Sequence, residues 1–259
     1  MFGTFPVSPE MFAKYEARRA QELAERLTRA VPWTPTMPWT SRLTLQASTW
    51  PAWPLLDVTP THEADVDHEP APATAHAYSP TRRFVFCQKV LPAGTYLTTY
   101  QGPREGTVLF DGPVALPSLH AVAPDAWRGL WMSLTPMEVF SLRPGINLAR
   151  GHTVVAGLGL GWTLVEALEK SAVTRVTLVE RDAELVTWLL PAIRARLSPA
   201  AAAKPCDVVV GDAREVLPTL TADVALVDIF PHYGRNRLRT PCPGIRKVWC
   251  WGAALVRPR

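Results

Sequence analysis

The 259-residue chain carries 27 Lys and Arg against 23 Asp and Glu, a formal charge of +4, with 47% hydrophobic residues and 26 prolines. That apolar share excludes a chain disordered throughout, no run approaches the ~18 apolar residues of a membrane-spanning helix, and the charged N-terminus lacks the block order of a secretory leader. A globular cytoplasmic protein is expected, and Cys87, Cys206, Cys242 and Cys250 form no C-x-x-C pair that would indicate a zinc knuckle or a disulfide framework.

In chain order, Ser8 to Ala30 reads as a surface helix: Ser8 can cap, Pro9 suits the first turn, and Met11, Tyr15, Leu23 and Leu27 recur at helical spacing. Residues 31–80 hold nine prolines and four tryptophans, Trp33, Trp39, Trp50 and Trp53, which predicts an irregular wrap with large apolar anchors. Its acidic end, Asp57 to Pro80, reads as a flexible loop. The stretch from His62 to His68 offers imidazoles and carboxylates, and with no rigid scaffold it reads as solvated rather than as a metal site. Three β-rich runs, Arg82–Val90, Thr95–Tyr100 and Thr107–Phe110, are divided by turn signals and predict a small antiparallel meander. In T-P-M-E, Thr135 and Glu138 form a capping box that starts a helix to about Leu142, where Pro144 and Gly145 should end it.

From residue 151 onward the texture alternates. The apolar runs 153–156, 175–180, 207–210, 223–228 and 247–251 read as buried strands, and 163–170 and 182–197, the latter kinked at Pro191, as helices between the first three. The expected fold class is therefore α/β, with a Rossmann-like, doubly wound, mostly parallel sheet of five strands behind a small N-terminal antiparallel segment and a Pro-rich wrap. The expected division is 1–80 for the helix and wrap, 81–150 for the β segment and connecting helix, and 151–259 for the Rossmann-like domain with a basic tail.

The first parallel strand ends in T-V-V-A-G-L-G-L-G-W. Gly157, Gly159 and Gly161 allow the tight turn and close ligand approach that open a helix with free N–H groups. Glu180 closes the second strand, where a carboxylate can take ribose hydroxyls; Asp212 and Ala213 follow the third, and Asp228 follows the fourth. A dinucleotide fingerprint would need glycine at 162, which is Trp162, and no G-K-[ST] follows to make a phosphate loop. Trp162 itself either covers the pocket or packs on the next helix.

This pattern resembles the S-adenosylmethionine-dependent methyltransferase superfamily. V-T-L-V-E-R-D-A-E-L-V (176–186), V-V-V-G-D-A-R-E-V-L (208–217) and V-A-L-V-D-I-F (224–230) are similar to its spermidine synthase-like branch, as are the upstream stretches 106–114 and 132–142. The resemblance implies S-adenosyl-L-methionine as cofactor, with Gly157, Gly159 and Gly161 lining its methionine and ribose part, Glu180 the ribose, Asp212 and Ala213 the adenine, and Asp228 facing the transferred group. It also places Glu138 within reach of that ligand. The branch has a second aspartate three residues after the fourth-strand acid and a glutamine after its hairpin; here the sequence runs D228-I-F-P-H232, with Val114 to Leu116 after the hairpin. A polycationic acceptor needs several carboxylates, so methyl transfer is expected ahead of aminopropyl transfer, with a non-catalytic nucleoside-binding module as the other reading. The resembled fold continues to a sixth and seventh strand, which are either absent here or replaced by cover from the wrap.

Asp228, His232 and Tyr233 are the candidate catalytic residues, because they follow the fourth strand directly. Residues 231–259 carry seven basic and no acidic residues, leaving 20 basic against 23 acidic in the first 230. Arg235, Arg237 and Arg239 therefore read either as a grip on an anionic acceptor, nucleic acid or a phosphorylated metabolite, or as a solvated tail.

Overall fold

The computed structural model describes residues 9–27, 42–60, 74–101, 104–122, 129–230 and 236–252. Helix α1 (Pro9–Leu27) bears out the expected N-terminal helix, with its Arg18–Glu22 pair on an exposed face. Among the described residues no helix is long and apolar enough to cross a membrane.

Strand β1 (Arg42–Leu45) and a 3-10 turn at Ala47–Thr49 precede β2 (Thr59–Pro60), β3 (Thr74–Tyr78), β4 (Phe84–Leu91), β5 (Tyr96–Gln101), β6 (Arg104–Phe110), β7 (Val114–Ala121) and β8 (Gly129–Ser133). They form two sheets. One is five-stranded and antiparallel in the order β2-β3-β4-β7-β8; the other is three-stranded, with β6 between an antiparallel β5 and a parallel β1. The expected single meander is thus corrected: β4 leaves β5 and pairs with β3 and β7. Turn chemistry reports where a chain reverses, whereas partner choice is set by burial, and Phe84, Val85 and Phe86 are all buried in β4. Residues 74–78, expected in the flexible loop, are strand β3; the His62–His68 stretch lies outside the described residues.

Among the described residues the N-terminal wrap is anchored by Trp50 and Trp53; Trp33 and Trp39 lie outside them. Trp50 meets Phe110 edge-on at 5.5 Å, and Trp53 packs at 5.0 Å on Trp162 while its Nε1 donates to the Leu160 carbonyl at 2.8 Å. Both are buried, so this segment buttresses the glycine turn from behind.

Helix α2 (Pro136–Leu148) starts at the expected capping box but runs on through Pro144 and Gly145. Two local breakers are overridden by packing. A Cβ at Gly145 would lie 2.3 Å from the Trp249 ring, so the glycine is where helix and sheet touch backbone to aromatic face. Next come β9 (Gly151–Ala156), α3 (Trp162–Glu169), β10 (Val173–Glu180), α4 (Ala183–Arg194), α5 (Pro199–Ala202), β11 (Cys206–Val210), α6 (Ala213–Val216), β12 (Ala222–Val227) and β13 (Ile245–Cys250). Helix α4 passes through Pro191 and stops three residues short of the expected Leu197.

The parallel sheet has the order β11-β10-β9-β12-β13. The protein has an α/β fold with a Rossmann-like sheet. Register puts Val208, Leu178, Val155, Leu226 and Trp249 side by side in one row facing α2, α3 and α4. The neighbouring row, Val179, Ala156 and Val227, faces Ala213 and Leu217 of the smaller α6 layer. The three central strands are buried on both faces as expected, but the edge strands β11 and β13 are not: Val210, Arg246 and Lys247 are exposed. Charged side chains on β13 are what an open edge needs against unwanted pairing.

Gly145→Ala should destabilise the protein by about 1–3 kcal/mol through overpacking against Trp249. A urea melt with unchanged slope and a lower midpoint checks this; an unchanged midpoint would show that the ring moves freely.

Candidate functional site

Strand order reverses between β9 and β12, and ligands of open α/β sheets bind at the carboxyl ends of strands beside such a point. A cavity of about 650 Å³ lies there, roofed by β8 and the first turn of α2. Gly157, Gly159, Glu180, Asp212, Ala213 and Asp228 all line it. Six residues spread over 72 positions converge because each sits just beyond a parallel strand.

The glycine turn is built for close approach. Gly157 has φ +99°, and a Cβ there would lie 2.2 Å from the Asp228 carbonyl oxygen, so only glycine lets the ends of β9 and β12 meet. Gly161 has φ +80° and caps α3, with its open side against Ile193 of α4. It shapes the turn without lining the cavity. Trp162 also lies outside the lining, so it does not cover the cavity, and the ring it packs on is Trp53 of the N-terminal wrap rather than the expected next helix.

Glu180 is buried, and both its oxygens are engaged: Oε2 accepts from Leu158 N at 2.7 Å and Oε1 from Asp182 N at 2.8 Å. Each oxygen keeps a second lone pair for a ligand hydroxyl. Asp212 accepts from Arg214 N at 2.8 Å as the cap of α6, and its other oxygen lies 3.3 Å from the Arg214 guanidinium.

Asp228 and Glu138 face the same cavity from β12 and α2. Burial, reinforced by the nearby Glu138 charge, pushes the Asp228 carboxyl up to about 7. Burial also raises Glu138, against the opposing pull of its hydrogen bonds from Ser133 and Thr135. Glu138 accepts from Ser133 N at 3.2 Å and from the Ser133 hydroxyl, and it closes the capping box with Thr135. Its capping and cavity-facing roles therefore coexist. Among the described residues, nothing hydrogen-bonds the Asp228 carboxyl.

Several lining residues carried no sequence motif. Arg181 and Arg214 follow Glu180 and Asp212, and Arg181 lies 5.8 Å from the centre of the half-exposed Trp131 ring. Met132 rests on the glycine turn, its sulfur accepting from Leu160 N at 3.1 Å. Thr163, on the first turn of α3, lines the cavity with a buried Oγ1 that has no hydrogen-bond partner. Arg237 and Arg239 are exposed and outside the lining; His232, Tyr233 and Arg235 lie outside the described residues.

No family model matches the chain, and no curated protein is similar to it. Among solved structures, it is similar to spermidine synthase from Thermotoga maritima at 14% identity, over 64% of this chain and 57% of that one, with a TM-score of 0.30. A Thermococcus litoralis Δ1-pyrroline-2-carboxylate reductase in complex with NADH and L-proline matches at 10% identity, over 61% and 50%, with a TM-score of 0.26. A lysine cyclodeaminase matches at 13% identity, over 68% and 52%, with a TM-score of 0.26. The chain thus spans less than two thirds of the length of these structures. Likeness this distant carries no functional argument, and the fold assignment rests on strand order and register.

Asp228→Asn should stabilise the protein above pH 7. Between about pH 4 and 7 the native state keeps a proton that the unfolded chain loses, so wild-type stability falls as pH rises through that window. The variant escapes that loss, gaining on the order of 2 kcal/mol at pH 8 and almost nothing at pH 4. Thermal melts at the two pH values check this, and equal effects at both would refute the raised carboxyl.

Proposed function

We propose that the protein is an S-adenosyl-L-methionine-dependent transferase, specifically a methyltransferase. The observation that carries this reading is the convergence of the glycine turn, Glu180, Asp212, Ala213 and Asp228 on one cavity at the switch point. Its volume, about 650 Å³, falls within the ~300–1,000 Å³ of pockets that enclose ligands of this size.

The residues present fit the cofactor. Spare lone pairs on Glu180 suit ribose hydroxyls, and Gly157 and Gly159 leave room for a ligand backbone beside the turn. The orphaned Thr163 hydroxyl at the start of α3 adds an unspent polar group beside the cavity. The bound cofactor supplies an electrophilic methyl group on a sulfonium. What the chain must add is an acceptor held in line and a group to take its proton. Asp228 suits that role: it opens on the cavity and titrates near neutral pH. In this reading residues 151–259 carry the cofactor site, and 81–150 supply the opposite wall through β8 and α2.

The alternative, a fold that binds a nucleoside without catalysis, would leave Asp228 no task. Its cost in stability would then have no return. The aminopropyl-transfer reading gains a second carboxylate from Glu138, although the acid expected after Asp228 is missing.

Calorimetry with adenosylmethionine and adenosylhomocysteine tests the proposal; absence of binding at millimolar concentration overturns it. Asp212→Ala should weaken adenosylhomocysteine at least about tenfold, a loss of roughly 1.4 kcal/mol, and also cost about 1 kcal/mol of stability as a lost cap. Glu180→Gln should weaken binding while lowering the melting temperature, because the amide NH2 would face a backbone N–H, at Leu158 or Asp182, that the carboxylate now accepts.

A further inference from the structure

We propose that the acceptor is an amine carried on an apolar body, held with its nitrogen between Asp228 and Glu138. This rests on the methyltransferase reading and names the substrate class for the same cavity.

The cavity is polarised across the sheet. Its cationic side chains, Arg181 and Arg214, follow β10 and β11, on one side of the glycine turn that follows β9. Asp228 follows β12, on the other side. Trp251 follows β13 and is tied to that end, its N–H donating to the Val227 carbonyl at 2.8 Å. No Lys or Arg lines this second end among the described residues. Two carboxylates therefore face a space that holds no cation among the described residues, although each is penalised there by burial and Asp228 also by the charge on Glu138. A cationic guest relieves that penalty, and an anionic guest deepens it.

The surrounding wall limits what the guest can be. Met137 and Leu142 flank Glu138 on α2, and Phe230 and Trp251 flank Asp228. The Trp251 indole N–H is spent on Ser141 Oγ at 2.8 Å, which leaves an apolar aromatic face. A long polycation needs carboxylates spaced along its length, and here the acids sit at one place with apolar side chains beyond them. One ammonium on an alkyl or aryl body fits.

The reaction balances with the groups present. The ammonium gives one proton to the Asp228 carboxylate. The freed nitrogen lone pair forms the N–C bond to the methyl as the C–S bond breaks, its electrons staying on sulfur. The positive charge of the sulfonium passes to the methylated nitrogen, and the proton on Asp228 returns to solvent.

The test uses the full chain saturated with adenosylhomocysteine and three probes: 2-phenylethylamine, putrescine and 3-phenylpropanoate. The amine on an apolar body should bind at least about tenfold more tightly than either of the others. The preference over 3-phenylpropanoate should fall at least about tenfold in Asp228→Asn, and Phe230→Ala should weaken 2-phenylethylamine several-fold. With labelled adenosylmethionine, the label should appear on 2-phenylethylamine. Equal or tighter binding of putrescine or 3-phenylpropanoate overturns the inference, as does a preference over 3-phenylpropanoate that is unchanged in Asp228→Asn. Failure of adenosylhomocysteine itself to bind overturns the cofactor reading and this inference with it, whereas cofactor binding without amine preference overturns this inference alone.

Discussion

The buried Glu180 carboxylate is the joint on which the glycine-turn end of the cavity depends. It closes β10, and its two oxygens take the N–H of Leu158 in the glycine turn and that of Asp182 at the cap of α4. One side chain thereby adds to the backbone bond from Gly157 N to the Val179 carbonyl and ties the end of β10 to the glycine turn and to the cap of α4. Both N–H groups lie where the chain leaves a strand, so neither has a ladder partner to fall back on. A second brace comes from outside the sheet, where Trp53 donates to Leu160 and packs on Trp162. The turn is therefore held from the strand side by a charge and from the rear by an aromatic ring, and the face left free is the one that meets the cavity.

The end of the cavity at Asp228 follows a different logic. Glu138 is positioned by its own helix start: Thr135 and Ser133 hold the carboxylate by its capping bonds, and the same bonds aim it across the cavity at Asp228. A capping box is among the cheapest ways to fix a carboxylate, because the helix needs the cap anyway. Asp228 is held instead by its backbone, through its N–H to the Ala156 carbonyl and through the close contact of its own carbonyl with Gly157. Its side chain has no such support and remains available.

What could be read in the sequence divides along the same line. Strands β9, β10 and β12 were legible because burial on both faces forces unbroken apolar runs, and Gly157, Glu180, Asp212 and Asp228 were legible because each stands just after such a run. Features set by distant packing were not. Nothing local to Pro144 and Gly145 says that Trp249, more than a hundred positions away, will hold the helix together through them. Nothing local to β4 says that it will reject the adjacent hairpin for β3 and β7. Glu138 was legible as a cap and, through the resemblance, as a residue near the ligand, but its opposition to Asp228 exists only once β12 lies opposite. The arginines divide likewise: among the described residues Arg181 and Arg214, each single and without a motif, are the cations at the cavity, while Arg237 and Arg239 of the dense tract lie outside its lining.

This arrangement has a thermodynamic signature that a purely structural site would lack. Interior packing alone would replace Asp228 by a neutral side chain, because two carboxylates facing one cavity oppose each other and each pays for lost hydration. The Glu180 carboxylate is different in kind: its hydrogen bonds to two backbone N–H groups make it part of the scaffold. The molecule thus spends one buried acid on holding the turn and keeps two others in opposition across the space beside it. Opposition of that sort is removed by a cation, and the apolar side chains of Met137, Leu142, Phe230 and Trp251 line the space beside it. The stability lost to the acid pair in the free protein is what a positively charged guest would recover on binding.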